Sequence, residues 1–386
     1  MFVSVFDWRK MAVLAMSALL AACAVVPKST GPDRPSPTTG PTPDTLPTDT
    51  ARHRIALLVP LTGKNSAVGQ SIANASTMAL LDTNAANLRV TTYDTSKGVA
   101  DAATRAVRDG NKLILGPLLS ENISVVEASA RAAKVPLISF SNDETAASRE
   151  VFVMGNLPSQ SVTRTVNYAR SRGITDFGAL VPRGEYGQRA SDALMASTRA
   201  GGARVLAMEA YDRSTASMTA AARRLAQKSD FGAVLIAEGG RLSSIAAPTI
   251  KAAEGAAAPR ILGTELWSGE KQVTSTSALE GAWFSAVADT RFGQFSSSYK
   301  RRFGTNPYRI ATLGYDAVLL TLRIARDWRP GNNFPSKQLA DKDGFLGLDG
   351  PFRFSRNGVI ERALEVREVR SGKIVTVSPA PSRFND

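Results

Sequence analysis

The sequence of 386 residues is almost devoid of histidine and cysteine, with one of each, His53 and Cys23. A structural zinc site needs four ligands, mostly from these residue types, so we expect no metal site. A Ser-His-Asp or Cys-His catalytic set needs a histidine on a folded scaffold, and no histidine follows residue 53. An intramolecular disulfide is excluded. These scarcities argue against an enzyme and predict no cofactor, although carboxylate, lysine or tyrosine chemistry remains open.

The N-terminal segment has the features of an export signal in the usual order. Two basic residues precede twelve apolar or small residues, 11–22. This run suits a secretory signal of about 7–15 apolar residues and falls short of the about 20 that span a membrane. It ends in Leu20-Ala-Ala-Cys23, which resembles the lipobox of bacterial lipoproteins. The resemblance implies removal of residues 1–22 and a lipid on Cys23; the alternative is an ordinary cleavage site with an incidental cysteine.

The anchor is expected in the outer membrane, because Ala24 stands where an Asp retains enterobacterial lipoproteins in the inner membrane. Residues 23–53 form the next region, in which seven of the chain's 20 prolines lie among Thr, Gly and Asp. This composition cannot bury enough apolar surface to fold. We expect a lipidated, extended tether that faces the periplasm, although an unselected linker has the same composition.

Acidic residues are also scarce: 34 Asp and Glu stand against 47 Lys and Arg, a net charge of +13. Residues 301–386 contain 15 of the basic and nine of the acidic residues. Such an excess is typical of nucleic-acid binding proteins. However, the chain has no nucleic-acid recognition motif, and export argues against that partner. A basic surface outside the cytoplasm suits anionic lipid, an anionic cell-wall polymer or an acidic protein.

From residue 54 onwards, short apolar runs alternate with amphipathic stretches at helical spacing. This alternation predicts an α/β fold with parallel sheets. Since one core rarely grows beyond about 300 residues, we expect two α/β lobes of similar size. Lobe 1 is predicted from residues 54–156 with 283–345, and lobe 2 from residues 157–282 with 346–386.

Ordered motifs along the globular part resemble type I periplasmic binding proteins of the leucine-binding group. These motifs are Ile55-Ala-Leu-Leu-Val-Pro-Leu-Thr-Gly63, Leu113-Ile-Leu-Gly-Pro-Leu-Leu-Ser120, Val135-Pro-Leu-Ile-Ser-Phe-Ser141 and Glu185-Tyr-Gly187. The resemblance covers about residues 54–370. It implies two Rossmann-like lobes joined by three crossings, with a central cleft between them. In that cleft it implies an amino acid, with Ser120 and Ser141 as carboxylate-side donors, Tyr186 as a cleft wall and Glu265 as the ammonium partner.

The sequence departs from that group after Ser141, where it reads Asn142-Asp143-Glu144. Two acidic side chains there would repel a substrate carboxylate. We therefore expect a free amino acid to bind poorly, and we keep Asn142 and Asp143 as cleft candidates for a small polar ligand.

The C-terminal part resembles the lipoproteins called penicillin-binding protein activators. The resemblance lies in Gly263-Thr-Glu-Leu-Trp267, Gly314-Tyr-Asp-Ala-Val318, Leu348-Asp-Gly-Pro-Phe-Arg-Phe354 and Gly358-Val-Ile-Glu-Arg362. It implies a non-enzymatic protein that binds and activates a bifunctional peptidoglycan synthase. The alternative is the substrate-binding protein of an ABC transporter for branched-chain amino acids or amides.

Overall fold

A computed structural model of the protein describes residues 51–228, 230–252 and 258–384. The signal sequence, Cys23 and all but the end of the tether lie outside these residues, so the expectations about them stay predictions. In the described ranges, no helix combines the length and apolar character that a membrane span requires.

Strands and helices alternate through most of the described chain. The strands are β1 His53–Val59, β2 Leu88–Asp94, β3 Leu113–Leu115, β4 Leu137–Ser139, β5 Val151–Val153, β6 Asp176–Pro182, β7 Arg204–Tyr211, β8 Ala233–Ile236, β9 Arg260–Leu262, β10 Trp283–Ala286, β11 Phe345–Gly347, β12 Gly350–Phe354, β13 Ile360–Arg362, β14 Glu365–Arg370 and β15 Lys373–Ser378. The helices are α1 Ser66–Thr83, α2 Val99–Arg108, α3 Ile123–Arg131, α4 Pro158–Ser171, α5 Glu185–Arg199, α6 Thr215–Ala226, α7 Gly240–Lys251, α8 Lys271–Ser275, α9 Phe292–Phe303 and α10 Ala311–Ile324.

The strands form two large sheets and one small one. The first sheet is parallel throughout, in the order β2-β1-β3-β4-β5. The second begins with the same pattern, β7-β6-β8-β9-β10 in parallel, and adds β14 and β15 antiparallel at the β10 edge. The central strands are buried on both faces, as parallel sheets covered by helices require. The predicted type I binding-protein fold with two Rossmann-like lobes is confirmed.

The C-terminal helices and the small antiparallel sheet β11-β12-β13 complete the first lobe. Helix α10 packs closely on α1 through Gly314, where an added Cβ would stand 2.6 Å from the Ile72 carbonyl oxygen. The small sheet contributes aromatic side chains, among them Phe352 and Phe354, to the same core as β1 and α10. Apolar burial therefore joins chain segments that are 250 or more residues apart.

The sheets place the lobe boundaries differently from the sequence-based division. Strand β10, expected in lobe 1, is hydrogen-bonded into the second sheet, and β11–β13, largely expected in lobe 2, pack on the core of the first. The chain therefore crosses between lobes after β5, after β10 and after β13. Strand β10 is apolar and buried on both faces, so its sequence does not indicate which of two buried sheets it joins.

Candidate functional site: the cleft and the interlobe crossings

The two lobes present equivalent edges of their sheets to the cleft. In a sheet of order 2-1-3-4-5, ligands bind beyond the carboxyl ends of the strands, beside the point where strand order reverses. In lobe 1 these ends carry the loops after β1, β3 and β4; in lobe 2 they carry the loops after β6, β8 and β9. Four of these six loops, those after β3, β4, β6 and β9, supply the candidate residues.

Ser120 and Ser141 lie on different lobe 1 loops. Ser120 is half-buried in a short 3-10 turn after β3, and none of the hydrogen bonds described for the chain joins it to the other candidates. Ser141 is buried, and its hydroxyl accepts the backbone N–H of Asp143 at 3.0 Å. Asn142, which stands between Ser141 and Asp143, is half-buried. The Ser141 hydroxyl therefore supports the conformation of its own loop.

The acidic residues of this loop are paired with lobe 2. Asp143 Oδ1 lies 3.0 Å from Nη2 of Arg189 on α5, and these side chains are only 13% and 12% exposed. Ser159, at the start of α4, donates to Glu144 Oε2 at 2.7 Å. The guanidinium of Arg189 offsets the charge of Asp143, so the repulsion of a carboxylate expected from the sequence is reduced. Both acids instead tie the lobes together.

In lobe 2 the structure brings Tyr186 and Glu265 together. The Tyr186 hydroxyl donates to Glu265 Oε1 at 3.0 Å and lies 2.9 Å from the Thr264 hydroxyl. When Glu265 is ionised, Thr264 donates to Tyr186, which donates to the carboxylate. The second carboxylate oxygen, Oε2, is buried and has no hydrogen-bond partner among the described residues. One oxygen of the Glu265 carboxylate, which was expected to bind a substrate ammonium group, is therefore already hydrogen-bonded to Tyr186.

Burial dominates the electrostatics of this pair. Removal of the Glu265 carboxyl from water raises its pKa to about 7, against the opposing effect of the Tyr186 hydrogen bond. Burial also raises the pKa of Tyr186, and the nearby Glu265 charge acts in the same direction. Tyr186 therefore remains protonated as a donor, and Glu265 changes its charge near neutral pH.

Glu238, a loop carboxylate after β8, is also held within lobe 2. Its Oε2 accepts hydrogen bonds from the Tyr211 hydroxyl at 3.2 Å and from Arg213 Nε at 3.1 Å. The Arg213 guanidinium also lies over the Tyr186 ring, 5.5 Å from its centroid. Glu238 is therefore engaged in an ion pair and a hydrogen bond within lobe 2.

Behind the cleft, the interlobe crossings bury a second group of charges. Arg309 donates to Asp349 Oδ1 at 2.6 Å, and this carboxylate is fully buried. Burial and the neighbouring Asp349 raise the pKa of Asp316 to about 7. Arg362 donates from Nη2 to the Met154 carbonyl oxygen at 2.8 Å, while its Nε and Nη1 have no partner among the described residues. No group of three or more potential metal ligands occurs in the described ranges.

Several residues of these networks were missed in the sequence. Arg189 follows Tyr186 by three positions and hence lies on nearly the same face of α5, which was the available signal. Arg362 interrupts the apolar pattern of a short strand, but its burial depends on how the crossings meet. The arrangement offers hydrogen bonds and charges for binding, and its described residues include no activated nucleophile.

A model of the periplasmic binding protein family matches residues 53–373 of the chain. Among curated relatives, the protein RP748 of Rickettsia prowazekii is 34% identical over 142 residues, which are 36% of this chain and 38% of that protein. The penicillin-binding protein activator LpoA of Mannheimia succiniciproducens is 28% identical over 151 residues, 38% of this chain and 26% of LpoA. The matched stretches thus span well under half of each relative.

Solved structures share the fold. The solute binding protein of an ABC transporter from Rhodopseudomonas palustris, in complex with 3,4-dihydroxybenzoic acid, superposes with a TM-score of 0.68 at 18% identity, covering 87% of this chain and 98% of that one. Full-length LpoA from Haemophilus influenzae superposes with a TM-score of 0.65 at 20% identity, covering 86% of this chain and 60% of LpoA. With the family match over 53–373, the two-lobed architecture shows that the chain belongs to the periplasmic binding protein family.

Proposed function

We propose that this protein is a periplasmic, non-enzymatic regulator that binds and activates a bifunctional peptidoglycan synthase. The observation that carries the proposal is the occupied cleft rim, in which Asp143 pairs with Arg189 and Tyr186 with Glu265. A solute-capturing protein would have to exchange these internal contacts for contacts with its ligand. A regulator that acts through its surface has no such requirement.

The similarity to LpoA supports this proposal in both sequence and fold. The chain corresponds to only part of that protein, so the activating role is our inference for this chain. The excess of basic residues adds an electrostatic component, because complementary charge raises association rates and is weakened by salt.

We further propose that Cys23 carries a lipid that anchors the protein in the outer membrane. At about 3.1 Å per residue in polyproline geometry, residues 24–52 would extend the globular part roughly 90 Å from the membrane. The variant Cys23→Ser should remain unprocessed or leave the membrane fraction. Unchanged processing and membrane association of this variant would contradict lipid anchoring.

The test of synthase activation is a reconstituted glycan-polymerisation and transpeptidation assay with the synthase of the same organism. Increasing amounts of the purified protein should raise the rate to a plateau, with a lower apparent affinity at high salt. No complex at low salt and no change in rate would remove the proposal.

Charge reversal can locate the contact surface in the same assay. The exposed residues Lys300 and Arg301 lie in the last turn of helix α9. Reversal of both to Glu should weaken the apparent affinity for the synthase. The matched control reverses Arg199 and Arg223, exposed residues of lobe 2, with the same change in net charge. If the two pairs of changes act equally, net charge and not this surface is responsible.

A second candidate function is solute capture for an ABC transporter. It is favoured by the near-complete coverage of the Rhodopseudomonas palustris solute binding protein, in contrast to the partial coverage of LpoA. Under this alternative a small polar ligand would displace the internal contacts of the rim. Titration with candidate solutes distinguishes the two functions.

A further inference from the structure

The three interlobe crossings enclose a small cavity of about 30 Å³. The first crossing contributes Asn156 and Leu157, the second contributes Ala286 and Val287, and the third contributes Arg362 and Leu364. The remaining wall is formed by Gln160, Ser161, Glu265, Ser268 and Arg309. A group bound there would contact every covalent connection between the lobes.

The cavity concentrates unsatisfied hydrogen-bonding atoms. Nine buried side-chain nitrogen or oxygen atoms in the described part of the chain have no hydrogen-bond partner, and six of them belong to its wall. These six are Asn156 Oδ1, Glu265 Oε2, Arg309 Nε and Nη2, and Arg362 Nε and Nη1. Of these, Arg309 Nη2 still forms an ion pair with Asp289 Oδ1 at 3.4 Å, and the Ser161 hydroxyl acts on the Glu265 carboxyl and lowers its pKa. Buried polar atoms are normally satisfied, so such a cluster indicates a missing partner. Because four of the six are guanidinium donors, that partner must accept hydrogen bonds.

Arg362 also needs a counter-charge. Its residue is 7% exposed, and no carboxylate of the described chain lies within ion-pair distance of its guanidinium. Asp349 and Asp316 favour its charged form from farther away, but burial outweighs them and lowers the pKa of Arg362. A buried charge that is only partly offset is unfavourable. A water molecule could satisfy the hydrogen bonds but would not add to this partial offset of the charge.

We propose that this cavity binds one monovalent inorganic anion, a halide such as chloride, between the guanidinium groups of Arg362 and Arg309. The size supports this class of ligand, because a cavity of about 30 Å³ has room for a small ion, given that one water-sized sphere needs roughly 10–15 Å³. A half-turn of the Asn156 amide would exchange its unsatisfied Oδ1 for Nδ2 and add another donor. The anion would connect the three crossings and stabilise this arrangement of the lobes.

The proposal has a pH signature. Glu265 Oε2 repels an anion when ionised, whereas the protonated acid can donate to it. Since the pKa of Glu265 is raised to about 7, the anion should bind more tightly at pH 6 than at pH 8. The charged and titratable groups around the cavity are Tyr186, Glu265, Asp289, Arg309, Asp316, Asp349, Arg362, Glu365 and Arg367. Asp316, with a pKa near that of Glu265, shifts the balance in the same direction.

The direct test is crystallisation of the protein in sodium bromide and measurement of anomalous scattering at the bromine edge. We expect one bromide peak in the cavity, within hydrogen-bond distance of Arg362 Nε and Nη1. A cavity that contains water only, or is empty, in bromide-grown crystals would overturn the proposal.

A solution test compares thermal unfolding in chloride and in gluconate at about 0.15 M ionic strength. Chloride should raise the melting temperature of the wild type, and more so at pH 6. Arg362→Gln should bind halide at least about tenfold more weakly and lose this difference. The control Arg356→Gln, at an exposed turn before β13, should retain it.

If Arg362→Gln does not fold, Asn156→Asp provides the test, because it adds a carboxylate to the wall and should abolish the chloride effect. A chloride effect that persists in either folded variant would assign the halide to another site and contradict the proposal.

Discussion

The cleft rim and the interlobe cavity are both polar, yet their side chains are satisfied to very different degrees. At the rim, Asp143 and Glu144 have partners across the lobes, and Tyr186 binds Glu265. In the cavity, two arginines and Asn156 leave buried atoms without partners. The acidic side chains at the rim, where the family resemblance placed a ligand, are therefore paired without one, and only the second oxygen of Glu265 lacks a hydrogen-bond partner among the described residues. The other unsatisfied atoms of the cavity lie behind the rim, where the sequence indicated no ligand site.

The largest effect should come from breaking the buried ion pair beside the cavity. Asp349→Ala leaves Arg309 without its fully buried partner and removes an acceptor for the Thr312 hydroxyl. We expect a loss of about 3–5 kcal/mol in the free energy of unfolding, typical of breaking a buried pair. Urea denaturation at pH 6 measures this loss; Asp316, whose pKa is raised by burial and by the Asp349 charge, is mostly protonated there in the wild type.

The control for this loss is an exposed pair. Arg131 and Glu127 lie 3.3 Å apart on α3, with 74% and 25% of their side chains exposed. Glu127→Ala should change the free energy of unfolding by less than about 0.5 kcal/mol. If Asp349→Ala lowers the free energy of unfolding no more than Glu127→Ala does, the Asp349–Arg309 ion pair is not buried as described.

A pH-dependent effect of intermediate size should come from Glu265, which belongs to both regions. Its pKa rises from 4.5 to about 7 on folding, so the folded protein binds the proton more tightly than the unfolded chain. The free energy of unfolding should therefore fall as pH rises from about 4.5 to about 7, by up to about 3 kcal/mol, and then level off. Denaturation in halide-free buffer measures this contribution apart from the proposed anion.

The variant Glu265→Gln isolates the contribution of this carboxyl. It should match the wild type near pH 4, where Glu265 is protonated in both states, and exceed it at pH 8. Asp316 retains its own pH dependence in both proteins. Parallel stability curves for Glu265→Gln and the wild type would mean that the Glu265 carboxyl is not desolvated.

The smallest effect should come from the ion pair across the rim. A double-mutant cycle of Asp143→Asn and Arg189→Gln should give a coupling energy of about 1 kcal/mol, because both side chains are mostly shielded from water. The exposed pair Arg204 and Asp176 within lobe 2 is the reference, with a coupling at or below that value. A coupling near zero for the rim pair would show that it does not form in solution.

Much of the fold was predictable because periodicity and composition express local requirements. The alternation from β1 to β9 follows from buried apolar runs between amphipathic helices. The sheet that β10 joins was not predictable, since a strand buried on both faces suits either sheet. The three-residue strands β5, β11 and β13 were also missed, because so short a stretch carries little periodic signal.

The candidate site was predictable where one lobe forms it alone. The family resemblance implied site roles for both Tyr186 and Glu265, and the structure joins them. The pairing of Asp143 with Arg189 depends on the placement of one lobe against the other. The same holds for the burial of Arg362 between crossings, which no local pattern encodes.

If the acidic side chains of the cleft rim are engaged without a solute and the protein acts through its surface, free amino acids should not bind in the cleft. Isothermal titration calorimetry of the purified protein with each common amino acid measures this. We expect no binding tighter than about millimolar, or about −4 kcal/mol. A micromolar dissociation constant for any of them, about −8 kcal/mol, would contradict this expectation and identify the cleft as a solute-capture site.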